Sequence, residues 1–391
     1  MCQKPACHVL LIYRQMIPSV RLCGHCQMEY LAREGRVDYR AVQERQLKTQ
    51  DLNWADVVLL GRLDSWYEYQ LVKKISKTGR RLIYIIDDDL LNAPQEISSA
   101  AYYRQAEVRR QILGIMGMCD AILSPSPLLL EKYAAGKRRA IRVEEPAIRP
   151  VCYRPHDAHG PVKIGFAGSI DRTEDLEHML RDALMRIRNE YGEHIQLEFF
   201  GAIPVFAQEL GARCIPYRDS YDEYRQTLND LDWDIGLAPM PDTPFHACKH
   251  YNKFIEYAAA GIMGVFSEAG PYIRLKAMDV PAAFCQNSTA SWYETLRFYI
   301  EHPTEREELR KRCVEMAQDR FSVERSAAAM MDAAGDMFSF SPEKRRPVGL
   351  RMAQLSGIGH MALVKWRTHG VRLPLVAMEK LADRLHRKRA E

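Results

Sequence analysis

The sequence predicts an α/β protein built from two doubly wound, Rossmann-like domains, and three observations support this fold class. Short apolar runs alternate with amphipathic helical segments, as expected when helices cover both faces of a parallel sheet. Two such series occur, one opening at His8 and the other at Val162. Between them, residues 146–161 contain four prolines and little periodicity, which is typical of a linker. We therefore predict domains over residues 1–145 and 162–337, followed by a tail over residues 338–391.

Length and composition indicate a globular chain. The 391 residues suffice for two domains of ordinary size, and 47% apolar with 27% charged residues argues against a disordered or fibrous protein. No run of 18 apolar residues occurs, and the N-terminus lacks the pattern of a secretion signal. We therefore expect a cytoplasmic protein.

The first domain is expected to begin with a strand buried on both faces. His8 to Tyr13 is an unbroken apolar run, which is typical of a central strand in a parallel sheet. Further strands are predicted over residues 37–42, 56–62, 81–86, 120–124 and 139–143. Helices are predicted over residues 22–35, 66–78, 102–118 and 127–135.

Two features of this domain could bind a substrate. Asp87, Asp88 and Asp89 follow a strand, at the carboxyl edge where parallel sheets bind ligands. They could orient the hydroxyls of a substrate, bind a divalent metal or supply a base, or they could simply cap the next segment and pair with arginines. In the loop after the first strand, Arg14 and Arg21 could bind an anionic group or remain solvated.

The second domain is expected to open with a strand and a glycine turn. Gly168 lets backbone N–H groups approach a phosphate, and Arg172 could reach the same phosphate. Strands are predicted over residues 162–168, 195–201, 213–216, 235–238 and 280–284, with another near residue 265. Helices are predicted over residues 174–191 and 221–231, from about residue 250 to 260, and as three segments over 289–337.

The most informative stretch runs from Lys249 to Tyr272. If a helix begins near His250, then Lys249, Lys253 and Glu256 lie along one stripe of it. Two cations beside a helix N-terminus could hold a diphosphate, and the carboxylate one turn further could accept hydrogen bonds from a ribose diol. Alternatively, Lys253 and Glu256 form an ordinary solvated ion pair.

This stretch resembles the nucleotide-sugar signature of GT-B glycosyltransferases, in particular the family 4-like group. The resemblance rests on Lys249, on Lys253-Phe-Ile-Glu256-Tyr-Ala-Ala-Ala-Gly261, on Val265-Phe-Ser and on Gly270-Pro-Tyr272. It implies that the two domains face a cleft and that the C-terminal helices cross back to the first domain. It also implies that Glu256 binds the donor ribose, and that neither a cofactor nor a metal is needed.

The implied reaction moves a sugar from a UDP- or GDP-sugar to the hydroxyl of a glycan, lipid-linked or other acceptor, with retention, in glycan or glycolipid synthesis. Its barrier lies in separating the diphosphate from an oxocarbenium-like sugar, so positive charge at the leaving group should supply much of the catalysis. We assign that role to Lys253, Lys249 and Arg172. The other residues expected at the donor site are Glu256, Gly168, Gly270, Tyr272 and His246, and those on the acceptor side are Asp87, Asp88, Asp89 and Arg21.

The sequence departs from the family pattern at two places. Cys248 occupies the position of a further Glu that many members carry eight residues before the one matching Glu256. Pro18, Ser19 and Arg21 occupy the place of a glycine-rich loop. Two other functions therefore stay open: a nucleotide-sugar epimerase of the GT-B fold, which needs no acceptor, and a catalytically silent transferase-like domain that binds a partner.

Four of the ten cysteines, Cys2, Cys7, Cys23 and Cys26, lie near the N-terminus. The spacing of Cys23 and Cys26 matches disulfide oxidoreductases, and the four thiolates together could bind zinc. The rest of a thioredoxin domain is missing from the sequence, so we favour coincidental, reduced thiols.

Charge is distributed unevenly along the chain. Residues 343–391 contain twelve Lys or Arg and four acidic residues, a charge of +8, whereas the whole chain carries +4. This tail mixes Leu, Val, Met and Trp with its cations, which suits contact with an anionic membrane surface on the inner face, although basic tails are also often solvated. Nucleic-acid binding is not expected, because no stacking aromatics accompany a basic groove.

Overall fold

The structure, a computed structural model, describes residues 7–136, 138–156, 160–340 and 346–348. In these residues the chain forms two six-stranded sheets in which every paired strand runs parallel to its neighbour. The predicted α/β class with two Rossmann-like domains is confirmed. Residues 341–345 and 349–391, which hold nearly all of the predicted basic tail, lie outside the described residues.

The N-terminal sheet has the strand order β2-β1-β3-β4-β5-β6. Its strands are β1 (Cys7–Tyr13), β2 (Val37–Gln43), β3 (Val57–Gly61), β4 (Arg81–Ile85), β5 (Ala121–Ser124) and β6 (Arg139–Arg142). Its helices are Pro18–Val20, Cys26–Arg33, Thr49–Trp54, Trp66–Ile75, Ala100–Tyr103, Ala106–Met118 and Pro127–Tyr133, with a wide turn over Arg21–His25 and a single 3-10 turn over Leu90–Asn92.

The C-terminal sheet has the strand order β12-β11-β10-β7-β8-β9. Its strands are β7 (Val162–Gly168), β8 (Ile195–Gly201), β9 (Arg213–Ile215), β10 (Ile235–Ala238), β11 (Met263–Ser267) and β12 (Ala283–Cys285). The helices are Thr173–Tyr191, Tyr221–Leu231, Pro244–Ala247, Asn252–Ala259, Tyr272–Ala277, Thr289–Glu301, Pro303–Asp319 and Val323–Phe338, with short 3-10 turns at Ile170–Arg172, Gly192–His194 and Val205–Ala207.

Each sheet is buried on both faces, which explains the unbroken apolar runs. In β1, Leu10 and Ile12 point to one core and Val9 and Leu11 to the other, because successive side chains of a strand alternate between faces. The first core includes the helices Trp66–Ile75 and Ala106–Met118. The second is closed by Cys26–Arg33 and, from the far end of the chain, by Val323–Phe338.

The last helix therefore belongs to the core of the N-terminal sheet, although it follows the C-terminal one in sequence. Ala327, Met330 and Ala334 are buried against that sheet. The crossing segment between the sheets is itself held by backbone hydrogen bonds, from Ala147 N to Phe321 O (2.7 Å) and from Val151 N to Ala259 O (2.8 Å).

Several predicted element bounds were wrong. The helix expected from about His250 begins at Asn252, so Lys249 lies in the loop before it. The helix expected over residues 102–118 is two helices, and the helix expected over 22–35 is interrupted because Cys23 and Gly24 have non-helical backbone angles. Three short helices that lack a clear apolar period were missed: Thr49–Trp54, Pro244–Ala247 and Tyr272–Ala277.

Candidate functional site

The cleft between the two sheets contains a cavity of about 290 Å³, called the inner cavity below. It lies beyond the carboxyl ends of β4, β7 and β10. Strand order in the C-terminal sheet reverses between β7 and β10, which is the usual ligand position in doubly wound sheets. A wider space of about 910 Å³, called the outer groove, shares Asp88, Ser169, Arg172 and Lys249 with it.

The inner cavity brings together most of the residues predicted from the sequence. Those that line it are Gly168, Arg172, Lys249, Lys253, Tyr272, Asp87 and Asp88. Asp89 and His246 line the outer groove. The described residues that line either space do not include Glu256, Gly270 or Arg21.

Lys249 connects the two domains across the cleft. Its Nζ lies 2.8 Å from Asp88 Oδ1, and its ammonium group lies 4.8 Å from the centre of the Phe245 ring. Burial acts to raise the pKa of Asp88, but Lys249 and Arg62 outweigh it, so that this pKa is lowered and Asp88 is ionised at neutral pH. The backbone carbonyl of Lys249 accepts a hydrogen bond from Arg274, which holds the loop in place.

Lys253 and Glu256 form an ion pair, but it is not a solvated one. Lys253 Nζ lies 2.6 Å from Glu256 Oε2, and only 22% and 11% of the two side chains are exposed. The Tyr224 hydroxyl donates to the same carboxylate oxygen (2.9 Å) and accepts from Lys253 (2.7 Å). Lys253 thus lines the inner cavity with its ammonium group paired to Glu256, which itself lines a small adjacent space with Tyr221.

Arg172 follows the glycine turn and lines both spaces. Its guanidinium group donates to the Pro239 carbonyl oxygen (2.5 Å) at the end of β10, and its Nε lies 3.2 Å from Asp175. Gly168 ends β7 directly before this turn. The turn therefore places a cation at the carboxyl edge of two adjacent strands.

Asp87 and Asp88 form the wall of the inner cavity that comes from the N-terminal domain. Asp87 Oδ1 lies 3.1 Å from Arg62, which follows β3. Burial nevertheless raises the pKa of Asp87, and the neighbouring charge of Asp88 adds to this. Adjacent carboxyl groups thus have opposite pKa shifts: at Asp88 the charges of Lys249 and Arg62 outweigh the effect of burial, whereas at Asp87 burial and the charge of Asp88 outweigh the effect of Arg62.

Asp89 and His246 make polar contacts within the protein. Asp89 accepts hydrogen bonds from Tyr133, Lys132 and Asn92, so its carboxylate is satisfied by neighbouring side chains. His246 Nδ1 lies 2.8 Å from the hydroxyl of Thr243, the residue that caps the helix Pro244–Ala247. Burial, with the charges of Arg172 and Lys249, lowers the pKa of His246 to about 4, so its ring is neutral at pH 7.

Gly270 and Arg21 occupy other positions. Gly270 has φ +55°, and a Cβ there would come within 2.9 Å of Met240 Cγ, so it permits a close turn. Arg21 makes a two-bond ion pair with Asp222 of the C-terminal domain (2.7 and 3.0 Å) and lines a separate groove with Arg149. The structure therefore does not bring Arg21 to the acceptor side of the cleft.

Cys248 is buried in the core cluster of the N-terminal domain. It belongs to the same apolar cluster as Leu130 and Tyr133, although it sits on a loop of the C-terminal domain. The residue at the position of the family's further Glu therefore packs across the domain boundary.

Glu145 is a residue of the inner cavity that sequence reasoning missed. Its side chain is 1% exposed and lines the cavity, and neither carboxylate oxygen has a hydrogen-bond partner among the described residues. It is the last residue of the predicted first domain, beside Pro146 at the start of the aperiodic linker, where no pattern marks it as a site residue. The available signal was the pair Glu144-Glu145 shortly after β6 of a parallel sheet, at the carboxyl edge where ligands bind.

The N-terminal cysteines show no redox or zinc arrangement in the described residues. Cys7 Sγ donates to the Phe340 carbonyl, and burial raises the pKa of Cys26 to about 11 and that of Cys23 as well. Among the residues described, no three His, Cys, Asp or Glu side chains are grouped as metal ligands; Cys2 lies outside this part.

No helix in the described part of the chain has the length and apolar character needed to span a bilayer.

Solved structures share this architecture. HepE of Anabaena, solved with UDP-glucose, is 12% identical and superposes with a TM-score of 0.56 over 84% of this chain and 99% of its own. Sucrose-phosphate synthase of Thermosynechococcus elongatus is 15% identical, with a TM-score of 0.58 over 86% and 100%. A protein of Listeria monocytogenes assigned as a UDP-N-acetylglucosamine 2-epimerase is 12% identical, with a TM-score of 0.52 over 88% and 99%.

These similarities establish the fold. The chain has the GT-B fold, as the resemblance in its sequence predicted. No protein-family model and no curated protein sequence matches it.

Proposed function

We propose that this protein is a glycosyltransferase that takes a sugar from a nucleotide diphosphate and passes it to a hydroxyl acceptor. The observation that carries the proposal is the inner cavity, where Arg172, Lys249 and Lys253 converge beside the glycine turn at Gly168 in a GT-B fold. A diphosphate needs this combination of cations and accessible backbone N–H groups. The similarity to HepE, which was solved with UDP and UDP-glucose, supports a nucleotide-sugar donor.

Binding of a diphosphate would exchange partners at Lys249. In the described structure its ammonium group is neutralised by Asp88. A phosphate oxygen carries negative charge and offers a second acceptor, so it would compete with Asp88 for this cation. Release of Asp88 then leaves a carboxylate in the cavity, close to where an acceptor hydroxyl has to enter from the outer groove.

The chemical step follows from this arrangement. The bond between the anomeric carbon and the diphosphate oxygen breaks, and its electron pair stays on that oxygen. Lys253, Lys249 and Arg172 stabilise the charge that develops there. The acceptor oxygen forms the new bond to the anomeric carbon, and its proton passes to a cleft carboxylate, for which Asp88 is our candidate.

The finer assignments belong to the same proposal. We take Glu256 as the residue that binds the donor ribose, with Tyr224 and Lys253 orienting its carboxylate. We also infer a UDP- or GDP-hexose as donor, retention of configuration, and a role in glycan or glycolipid synthesis. Contact of residues 338–391 with an anionic membrane surface stays a prediction.

Nucleotide binding tests the proposal directly. Thermal unfolding of the full chain is measured with UDP, GDP, ADP and CMP and their sugars, without added metal, because a ligand of the native state raises its stability by about 2.7 kcal/mol at one hundred times its Kd. We expect one nucleoside diphosphate class to raise the unfolding temperature. A chain that no nucleotide stabilises would instead be a silent transferase-like domain.

A second candidate is supported by the similarity to the Listeria monocytogenes protein assigned as an epimerase. An epimerase would convert the donor to an isomer without any acceptor. Incubation of the stabilising nucleotide sugar with the protein alone, followed by NMR of the sugar, separates the two functions: an isomeric donor indicates an epimerase, whereas slow hydrolysis to the nucleoside diphosphate indicates a transferase.

A further inference from the structure

Glu145 is a buried acid in the wall of the inner cavity. It follows β6 by three residues, at the start of the segment that crosses to the C-terminal domain. Its side chain is 1% exposed, it lines the inner cavity, and both of its carboxylate oxygens lack a hydrogen-bond partner among the described residues. Buried polar groups are nearly always paired in native proteins, so an unpaired one that faces a cavity points to a missing partner.

The neighbouring side chains leave Glu145 without a counter-charge. His250 Nδ1 is 4.0 Å away, but that ring binds Asn252 Oδ1 at 2.6 Å and Glu144 on its other nitrogen. Lys253 also lines the cavity, yet it is paired with Glu256. Burial raises the pKa of Glu145 well above its usual range and the nearby Asp87 raises it further, whereas the neighbouring amide side chain of Asn252 acts in the opposite direction without reversing the shift.

A neutral carboxyl group both donates and accepts a hydrogen bond. This pattern matches a hydroxyl group, which does the same. Phosphate oxygens are the less suitable partner at this point, because Asp87 and Asp88 line the same cavity and repel negative charge. Arg172 and Lys253, beside the glycine turn, are the positions that attract the diphosphate. Glu145 is therefore left for an uncharged, hydroxylated part of the ligand.

We propose that Glu145 binds a hydroxyl group of the donor sugar and thereby distinguishes a nucleotide sugar from the free nucleoside diphosphate. This inference rests on the proposed function and adds a sugar-binding residue from the interdomain segment to it. The signature stretch at Lys249 to Tyr272 does not contain this residue, and Cys248, at the position where many family members carry a further Glu, is buried in the other domain.

The test compares two replacements of equal size. Glu145→Gln keeps an uncharged donor and acceptor, whereas Glu145→Leu removes both. Affinities are measured by calorimetry for UDP, UDP-glucose, UDP-N-acetylglucosamine, GDP and GDP-mannose, and unfolding temperatures show that both variants fold. Losing one hydrogen bond in a buried site costs about 1–3 kcal/mol, roughly 5- to 150-fold in affinity.

We expect the wild type to bind one sugar nucleotide more tightly than its free diphosphate. Glu145→Leu should lose about tenfold or more of that sugar affinity and bind the free diphosphate within about threefold of wild type, while Glu145→Gln keeps most of both. Two results overturn this inference but not the proposed function. In the first, Glu145→Leu binds the nucleotide sugar as tightly as wild type does; in the second, the wild type binds no nucleotide sugar more tightly than the matching nucleoside diphosphate. A wild type that binds none of the five probes overturns the proposed function with it.

Discussion

The two walls of the inner cavity differ in charge and in how the chain builds them. The C-terminal wall supplies the cations Arg172, Lys249 and Lys253, from two short stretches that each follow a strand. The N-terminal wall supplies Asp87 and Asp88 after β4, with Glu145 from the crossing segment. One wall suits a diphosphate, and the other suits the uncharged and reacting parts of a substrate.

The cations also differ in what neutralises them. Arg172 and Lys253 pair with Asp175 and Glu256 of their own domain, whereas Lys249 pairs with Asp88 across the cleft. Of these three pairs, only the one between Lys249 and Asp88 joins the two domains. A ligand that binds Lys249 therefore also changes a contact between the domains. Lys253 and Lys249 are therefore not equivalent. Lys253 would bind the ligand, whereas Lys249 would bind the ligand and also holds the two walls together.

Removal of Lys253 should have the largest effect. Lys253→Ala deletes a partly buried cation beside the diphosphate position, and hydrogen bonds to charged groups are worth about 1.5–3 kcal/mol, so we expect roughly 10- to 150-fold weaker binding of the preferred nucleotide by calorimetry. Lys276→Ala is the matched control, because Lys276 pairs with Glu268 at an exposed position. Equal affinities in the two variants would remove Lys253 from the site.

Removing the charge of Asp88 on the N-terminal wall should strengthen, not weaken, the binding of a nucleoside diphosphate. In Asp88→Asn, Lys249 loses its counter-charge, so we expect the free nucleoside diphosphate to bind about three- to tenfold more tightly, a gain of about 0.7–1.4 kcal/mol. Sugar transfer or donor hydrolysis should fall in the same variant. Asp182 is an exposed residue of the helix Thr173–Tyr191, so the variant Asp182→Asn controls for the change in net charge. Weaker nucleotide binding in Asp88→Asn would contradict the proposal that a phosphate replaces Asp88 as the partner of Lys249.

Glu145 should lower the stability of the folded protein at neutral and alkaline pH. Its pKa in the folded state is raised above the ordinary value of 4.5 by burial and by Asp87. Above pH 4.5 the unfolded chain releases this proton while the folded protein keeps it, so the stability contributed by the neutral carboxyl group decreases as pH rises. Glutamine has no proton to release and should not show this decrease.

We therefore expect Glu145→Gln to be more stable than wild type at pH 8, by about 1.4 kcal/mol for each unit by which the folded-state pKa exceeds the unfolded one. The advantage should disappear near pH 5. Urea unfolding of both proteins at the two pH values measures this advantage, with Glu268→Gln, at a partly exposed position outside the cavity, as the control. An advantage of the same size at both pH values would show that the titration of Glu145 is not its cause.

The smallest effect is expected at the ion pair that joins the domains outside the cavity. Arg21→Ala removes the pair with the exposed Asp222, and such pairs are worth about 0.2–1 kcal/mol. Nucleotide affinity should stay within about twofold of wild type. A large loss of nucleotide affinity would show that Arg21 contributes to the nucleotide site, contrary to its position outside the inner cavity.

The comparison of the walls also shows where sequence reasoning succeeded. The cations of the C-terminal wall were predicted because Arg172 follows the glycine turn after β7, and because Lys249 and Lys253 lie on either side of the start of a helix that carries a recognisable pattern. Asp87 and Asp88 were predicted as polar residues that end an apolar run. Glu145 was missed, since its strand is short and the residues around it have no period.

The amino-acid sequence by itself determined the order of strands and helices, the two-domain pattern and the stretch that forms the C-terminal wall. These features depend on local periodicity and on residues close together in the chain, which a pattern reveals directly. Only the tertiary structure decided that Lys249 meets Asp88, that Cys248 is buried in the other domain, and that Glu145 is buried in the wall of the inner cavity without a hydrogen bond of ordinary geometry to its carboxylate oxygens. Each of these depends on contacts between residues far apart in sequence, and burial and charge pairing are properties of the packed chain, not of any single segment of it.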